Sequence, residues 1–113
     1  MKVLIIEDDK DINNILADDL HEYNIETKSV YNGIDAYKIF VKELFDFIVL
    51  DIRVPDENGI ELLKWIKSNY KSKVIIYTGG DEYRKIARKL GTDYFVLKGG
   101  DVHEITEIIL THL

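Results

Sequence analysis

The sequence predicts an α/β domain whose parallel sheet is covered by helices on both faces, and three observations predict it. Five short apolar or mixed runs recur along the chain: "KVLII", "IETKSV", "DFIVLD", "KVIIYT" and "DYFVLK". Segments with helical apolar spacing follow each run, and turn residues fall between. Four of the runs are nearly continuous rather than alternating, as strands buried on both faces are. A strand–helix unit repeated five times, (βα)5, with right-handed crossovers, gives a three-layer sandwich.

The elements follow in order. After "KVLII", Ile12, Ile15, Leu16, Leu20 and Tyr23 recur at intervals of three and four, which predicts the first helix. Either Asp8 or Asp9 suits its N-cap. "IETKSV" is more polar and belongs at a sheet edge. Asn32-Gly33 then opens a second helix, with Ile34, Tyr37, Val41 and Leu44 as its apolar stripe. "DFIVLD" leads through Pro55 and Gly59 into a third helix carrying Ile60, Leu63 and Ile66. "KVIIYT" precedes a fourth, with Tyr83, Ile86, Ala87 and Leu90, which Gly91 ends. "DYFVLK" and Gly99-Gly100 precede a fifth, with Val102, Ile105, Ile109 and Leu113.

Composition narrows the function. A chain of 113 residues is read as one domain, residues 1–113, with no output domain. That length buries roughly two-thirds of the unfolded surface, enough for a core without staples. With no cysteine there are no disulfides, thiolate metal sites or cysteine nucleophiles. "MKVLIIEDD" is too short in apolar residues for a signal peptide, and no run reaches the length of a membrane span, so the expected location is cytoplasmic, away from any membrane. Fifteen basic and 21 acidic side chains give a net charge of −6, which argues against direct nucleic-acid binding.

In parallel sheets ligands sit beyond the carboxyl ends of the strands. Here those ends deliver Glu7 and Asp8, then Asp51, Thr78 and Lys98. Each has a plain structural use: a cap, a strand-end ion pair, a turn residue, a solvated lysine. One site explains them together. Three carboxylates, from Glu7, Asp8 and Asp51, need raised pKa values or a cation to share a small volume. Oxygen ligands without Cys or a convenient His point to Mg2+. Mg2+ keeps room for a phosphoryl oxygen. Lys98 adds a positive charge, Thr78 a hydroxyl donor, and Gly79-Gly80 unobstructed backbone amides. Together these suit a phosphoryl group on Asp51.

"VLIIEDD", "IVLDIRVPDENG", "VIIYTGG" and "DYFVLK" resemble, in order and spacing, the blocks of the CheY-like receiver domains of two-component response regulators, over essentially the whole chain. The resemblance implies a flavodoxin-like fold with strand order 2-1-3-4-5. It implies that Asp51 accepts a phosphoryl group from a histidine kinase or histidine phosphotransfer protein. Asp8 and Asp51 would bind Mg2+ directly, Arg53 through its backbone carbonyl and Glu7 through water. Thr78, Gly79 and Lys98 would hold the phosphoryl oxygens. Thr78 and Phe95 would form the switch, the hydroxyl moving toward the phosphoryl group and the ring turning inward. Partner contacts would involve Ile12, Asn13 and Ile15 on the first helix, and Arg84 and Arg88 on the fourth, where a downstream protein would dock.

One departure stands out. The family usually has proline after the lysine in a cis bond, and here Gly99 stands there. A cis bond before a non-proline residue costs about 2.5–4 kcal/mol, so a trans bond and a more mobile loop are expected. The leading reading is a stand-alone phospho-acceptor switch that supports its own transfer and dephosphorylation but is not a turnover enzyme. The competing readings are a degenerate receiver acting only as a protein-binding module, and an aspartyl phosphohydrolase of the haloacid-dehalogenase-like kind. The second lacks the acid usual two residues beyond the nucleophile, where Arg53 stands.

Overall fold

The computed structural model describes residues 1–113. Five strands alternate with five helices: β1 (Lys2–Ile6), α1 (Lys10–His21), β2 (Glu26–Val30), α2 (Gly33–Phe40), β3 (Phe47–Leu50), α3 (Gly59–Asn69), β4 (Lys73–Thr78), α4 (Arg84–Lys89), β5 (Tyr94–Leu97) and α5 (His103–Leu110). A single 3-10 turn, Asp81–Tyr83, leads into α4. The sheet is parallel in the order β2-β1-β3-β4-β5, which is the flavodoxin-like order. The polar strand β2 lies at an edge, as its composition requires.

Alternation along the central strands builds two cores. Leu4, Ile6, Ile48, Leu50, Val74 and Ile76 face α2, α3 and α4. Val3, Ile5, Phe47, Val49, Ile75 and Tyr77 face α1 and α5 through Leu16, Leu20, Ile105 and Ile109. Burial on both faces is why these runs read as continuous rather than alternating.

Helix starts are set by side-chain caps. Asp9, rather than Asp8, caps α1 by accepting from the amides of Asp11 and Ile12. Asn32 caps α2 and Asn58 caps α3 in the same way. No membrane-crossing helix is present, since none is long and apolar enough.

The expected stripe on α2 is corrected. Ile34, Val41 and Leu44 are exposed, and the buried face is Gly33, Ala36 and Phe40. Close approach decides this phase. A Cβ on Gly33 would run into the Glu57 side chain, so only the smallest residue fits inward at that end. At the other end Phe40 joins an aromatic cluster, edge-on to Phe45 and Trp65 and tilted against Tyr70. Tyr23 and Leu113 likewise lie beyond the ends of α1 and α5 and are exposed.

Candidate functional site

Strand register brings the predicted residues to one edge. Ile6 pairs with Leu50 and Leu50 with Ile76, so Glu7 and Asp51 are the next residues on adjacent strands. Thr78 pairs with Leu97, which places Lys98 one residue further on the neighbouring strand. Backbone bonds continue past the strand ends. The Asp51 amide donates to the Ile6 carbonyl (3.0 Å), and the Lys98 amide to the Thr78 carbonyl (2.9 Å).

Oxygens of Glu7, Asp8 and Asp51 all lie within 4.8 Å of one another. Glu7 and Asp51 are buried, while Asp8 is exposed and its carboxylate has no hydrogen-bond or ion-pair partner. Lys98 stands between the buried pair, its Nζ 2.5 Å from Glu7 Oε1 and 2.8 Å from Asp51 Oδ2. The Arg53 amide donates to Asp51 Oδ1 (3.0 Å) and the Asp9 amide to Glu7 Oε2 (3.1 Å). Burial pushes the Glu7 carboxyl above its ordinary range, against the opposing pull of Lys98 and of the Asp9 amide. Burial also draws Lys98 down, but Asp51 and Glu7 outweigh it and hold its ammonium above its usual value. The ammonium also lies 5.7 Å from the centre of the Tyr77 ring.

Thr78 is fully buried and its hydroxyl has no hydrogen-bond partner. A buried hydroxyl without a partner is costly, and at a strand end beside a carboxylate cluster it is suited to an oxygen-rich ligand. The donor set fits a hard divalent cation: three carboxylates, no sulfur, and one of them free in solvent.

Gly59 and Gly99 are required for different reasons. A Cβ on Gly59 would fall 1.8 Å from the Ile52 carbonyl oxygen, so glycine is there for space and not for an unusual backbone shape. Gly99 has φ +110°, with open space around it. Every peptide bond is trans, including Lys98–Gly99.

Sequence reasoning missed several groups. The guanidinium of Arg53 pairs with Glu82, bridging the loops after β3 and β4 over Gly80. Asp56 accepts from the amides of Gly33 (2.7 Å) and Ile34 (3.1 Å), tying the loop after Asp51 to the start of α2. Neither partnership has a local spacing signal. Asn13 is a correction: it is fully buried, not part of a partner surface. Its spacing from Leu16 and Leu20 places it on the inward stripe, a signal the sequence carried. Ile15 is exposed and Ile12 half-buried on the same helix. Arg88 is exposed, and Arg84 lies 4.5 Å over the ring of the half-buried Phe95.

The chain matches the response regulator receiver domain family over residues 3–110. It belongs to that family. The receiver domain is 32% identical over 108 residues to response regulator ArlR of Staphylococcus aureus, covering 92% of this chain and 48% of the relative. It is 29% identical over 106 residues to ArlR of Staphylococcus saprophyticus, with the same coverage of 92% and 48%. The chain thus spans about half the length of the curated relatives it matches. Among solved structures it superposes on response regulator protein TrrA of Thermotoga maritima, determined in complex with Mg2+-BeF. That match has a TM-score of 0.88 and 28% identity and covers 99% of this chain and 98% of that one. A two-component response regulator from Clostridium difficile superposes with a TM-score of 0.92 at 26% identity, covering 98% and 93%.

Proposed function

We propose that this receiver domain is a phospho-acceptor switch of a two-component system, with Asp51 as the acceptor. The observation that carries this reading is the cluster of Glu7, Asp8 and Asp51 with Lys98 inserted between the two buried carboxylates. A carboxylate oxygen of Asp51 attacks the phosphorus of a phosphohistidine on the partner kinase or phosphotransfer protein. The new O–P bond forms as the P–N bond breaks, and the imidazole leaves with the electron pair and takes up a proton.

Asp8, Asp51 and the Arg53 carbonyl would hold Mg2+, with Glu7 acting through water. When bound, the ion supplies charge neutralisation between acceptor and phosphoryl oxygens. The chain's own groups do the rest. Lys98 already touches Asp51 and needs only a small shift to hold a phosphoryl oxygen. The Thr78 hydroxyl, lacking a partner, and the exposed Gly79 backbone offer further donors. Movement of Thr78 toward the phosphoryl group would leave space for Phe95 to turn inward, withdrawing the ring from Arg84. The histidine-bearing partner would dock beside Ile12 and Ile15, and a downstream protein on the α4 face with Arg84 and Arg88.

The test is intact mass after incubation with Mg2+ and acetyl phosphate, with Asp51→Ala and a chelator as controls. One added phosphoryl group, absent in both controls, is the expected result. No addition from acetyl phosphate or from a cognate kinase would leave a phosphate-independent binding module instead.

A further inference from the structure

We propose that Asn13 is a positioning residue that aims the Glu7–Asp8 carboxylates at their cation, a role that rests on the Mg2+ reading above. Asn13 occupies a core position on α1, in line with Leu16 and Leu20, and is fully buried. A leucine there would meet the needs of packing alone. A buried amide is tolerated only where its hydrogen bonds are made. Asn13 makes them to the ends of β1 and β2, of which β1 carries Glu7 and Asp8 into the site. Its Nδ2 donates to the carbonyls of Glu7 (3.1 Å) and Val30 (3.3 Å), and the Ser29 hydroxyl donates to its Oδ1 (2.5 Å).

The consequence is a pinned peptide. The Glu7 amide is held by the Val30 carbonyl at 3.2 Å, and the Glu7 carbonyl by Asn13. On the far side, Asp9 is fixed through its amide to Glu7 Oε2 and through its carboxylate to the start of α1. Asp8, whose carboxylate makes no contact of its own, is thus suspended between two immobilised residues. Its direction is set by the tether beneath it. Groups that orient metal ligands from behind in this way are worth about 10–100-fold in metal affinity.

The decisive variant removes both halves of the tether with apolar replacements. Asn13→Leu with Ser29→Ala leaves no orphaned side-chain partner and only the Glu7 carbonyl unsatisfied, so the domain is expected to fold with a lowered melting temperature. Its Mg2+ dissociation constant, read by titration calorimetry, is expected to rise at least about tenfold. Ser29→Ala alone keeps both Asn13 donors and is expected to stay within about twofold of the unaltered domain. A folded double variant that binds Mg2+ as the unaltered domain does would overturn the proposal. So would a loss in Ser29→Ala equal to that in the double variant. Absence of any Mg2+ binding to the unaltered domain would overturn the underlying metal reading instead, and the proposal with it.

Should the double variant not fold, the unaltered domain answers by NMR. Mg2+ is expected to shift the side-chain amide of Asn13 but not that of exposed Asn14. An unmoved Asn13 amide beside a shifting Asp8 would refute the tether.

Discussion

The Lys98 ammonium lies 2.8 Å from Asp51 and 2.5 Å from Glu7, and so bridges two buried carboxylates with one positive charge. Glu7 has no other cation, and its side chain is 2% exposed. Removing Lys98 therefore strands a buried charge. Lys98→Met is expected to lower stability by about 1–3 kcal/mol, read by urea unfolding. Glu7→Gln in the Lys98→Met background is expected to restore part of it, because one of the two stranded charges is gone while Asp51 keeps the Arg53 amide. Equal losses in the single and double variants would show that Glu7 does not depend on Lys98.

Two glycines near the site make opposite predictions for the same substitution. At Gly59 the obstacle is the Ile52 backbone, which cannot step aside. Gly59→Ala is expected to cost at least about 1–3 kcal/mol, as overpacking does. At Gly80 the obstacles are the far ends of Arg53 and Glu82, both flexible. Gly80→Ala is expected to change stability by less than about 0.5 kcal/mol while parting that ion pair. Thermal unfolding of the two variants side by side checks the contrast.

The carboxylate-bearing edge of the sheet was legible because parallel strands end where apolar runs end. Asp51, Thr78 and Lys98 follow "FIVL", "VIIY" and "YFVL" directly, and adjacent strands carry them to one place. Strand order came from the resemblance, not from the pattern. The stripe of α2 was misread because Ile34, Val41 and Leu44 keep helical spacing, yet the helix ends at Phe40 and leaves Val41 and Leu44 beyond it. What selected the other phase was crowding of Gly33 against Glu57, from a loop distant in sequence. Asp56 on α2 and Glu82 on Arg53 were illegible for the same reason: each partner comes from another loop.

His103 at the start of α5 carries a pH dependence. Its Nδ1 lies 2.7 Å from Asp19 of α1, its Nε2 3.7 Å from Glu107, and its ring against Tyr23. The hydrogen bond to Asp19 raises its pKa above the ordinary 6.5, burial opposes this, and the charges of Asp19, Glu107 and Asp101 add to the rise. A raised folded-state pKa gives stability that is fully present below 6.5 and lost as pH rises through the higher folded value. The melting temperature is thus expected to fall over that window. His103→Asn is expected to flatten the slope, and an unchanged slope in that variant would assign it elsewhere.

Thr78 offers the sharpest separation of stability from function. Its hydroxyl is buried and unpartnered, a state that costs about 1–3 kcal/mol relative to a satisfied group. Valine has nearly the same shape and suits a strand as well. Thr78→Val is therefore expected to unfold at the same temperature as the unaltered domain or higher. If the hydroxyl is there to receive a phosphoryl oxygen, the same variant is expected to lose the change that phosphorylation produces around Phe95, read by the aromatic NMR resonances with and without BeF and Mg2+. A stabilised variant with an intact response would mean the hydroxyl serves no ligand. A variant destabilised by more than about 1 kcal/mol would mean that the hydroxyl has a partner in solution and is not held in reserve.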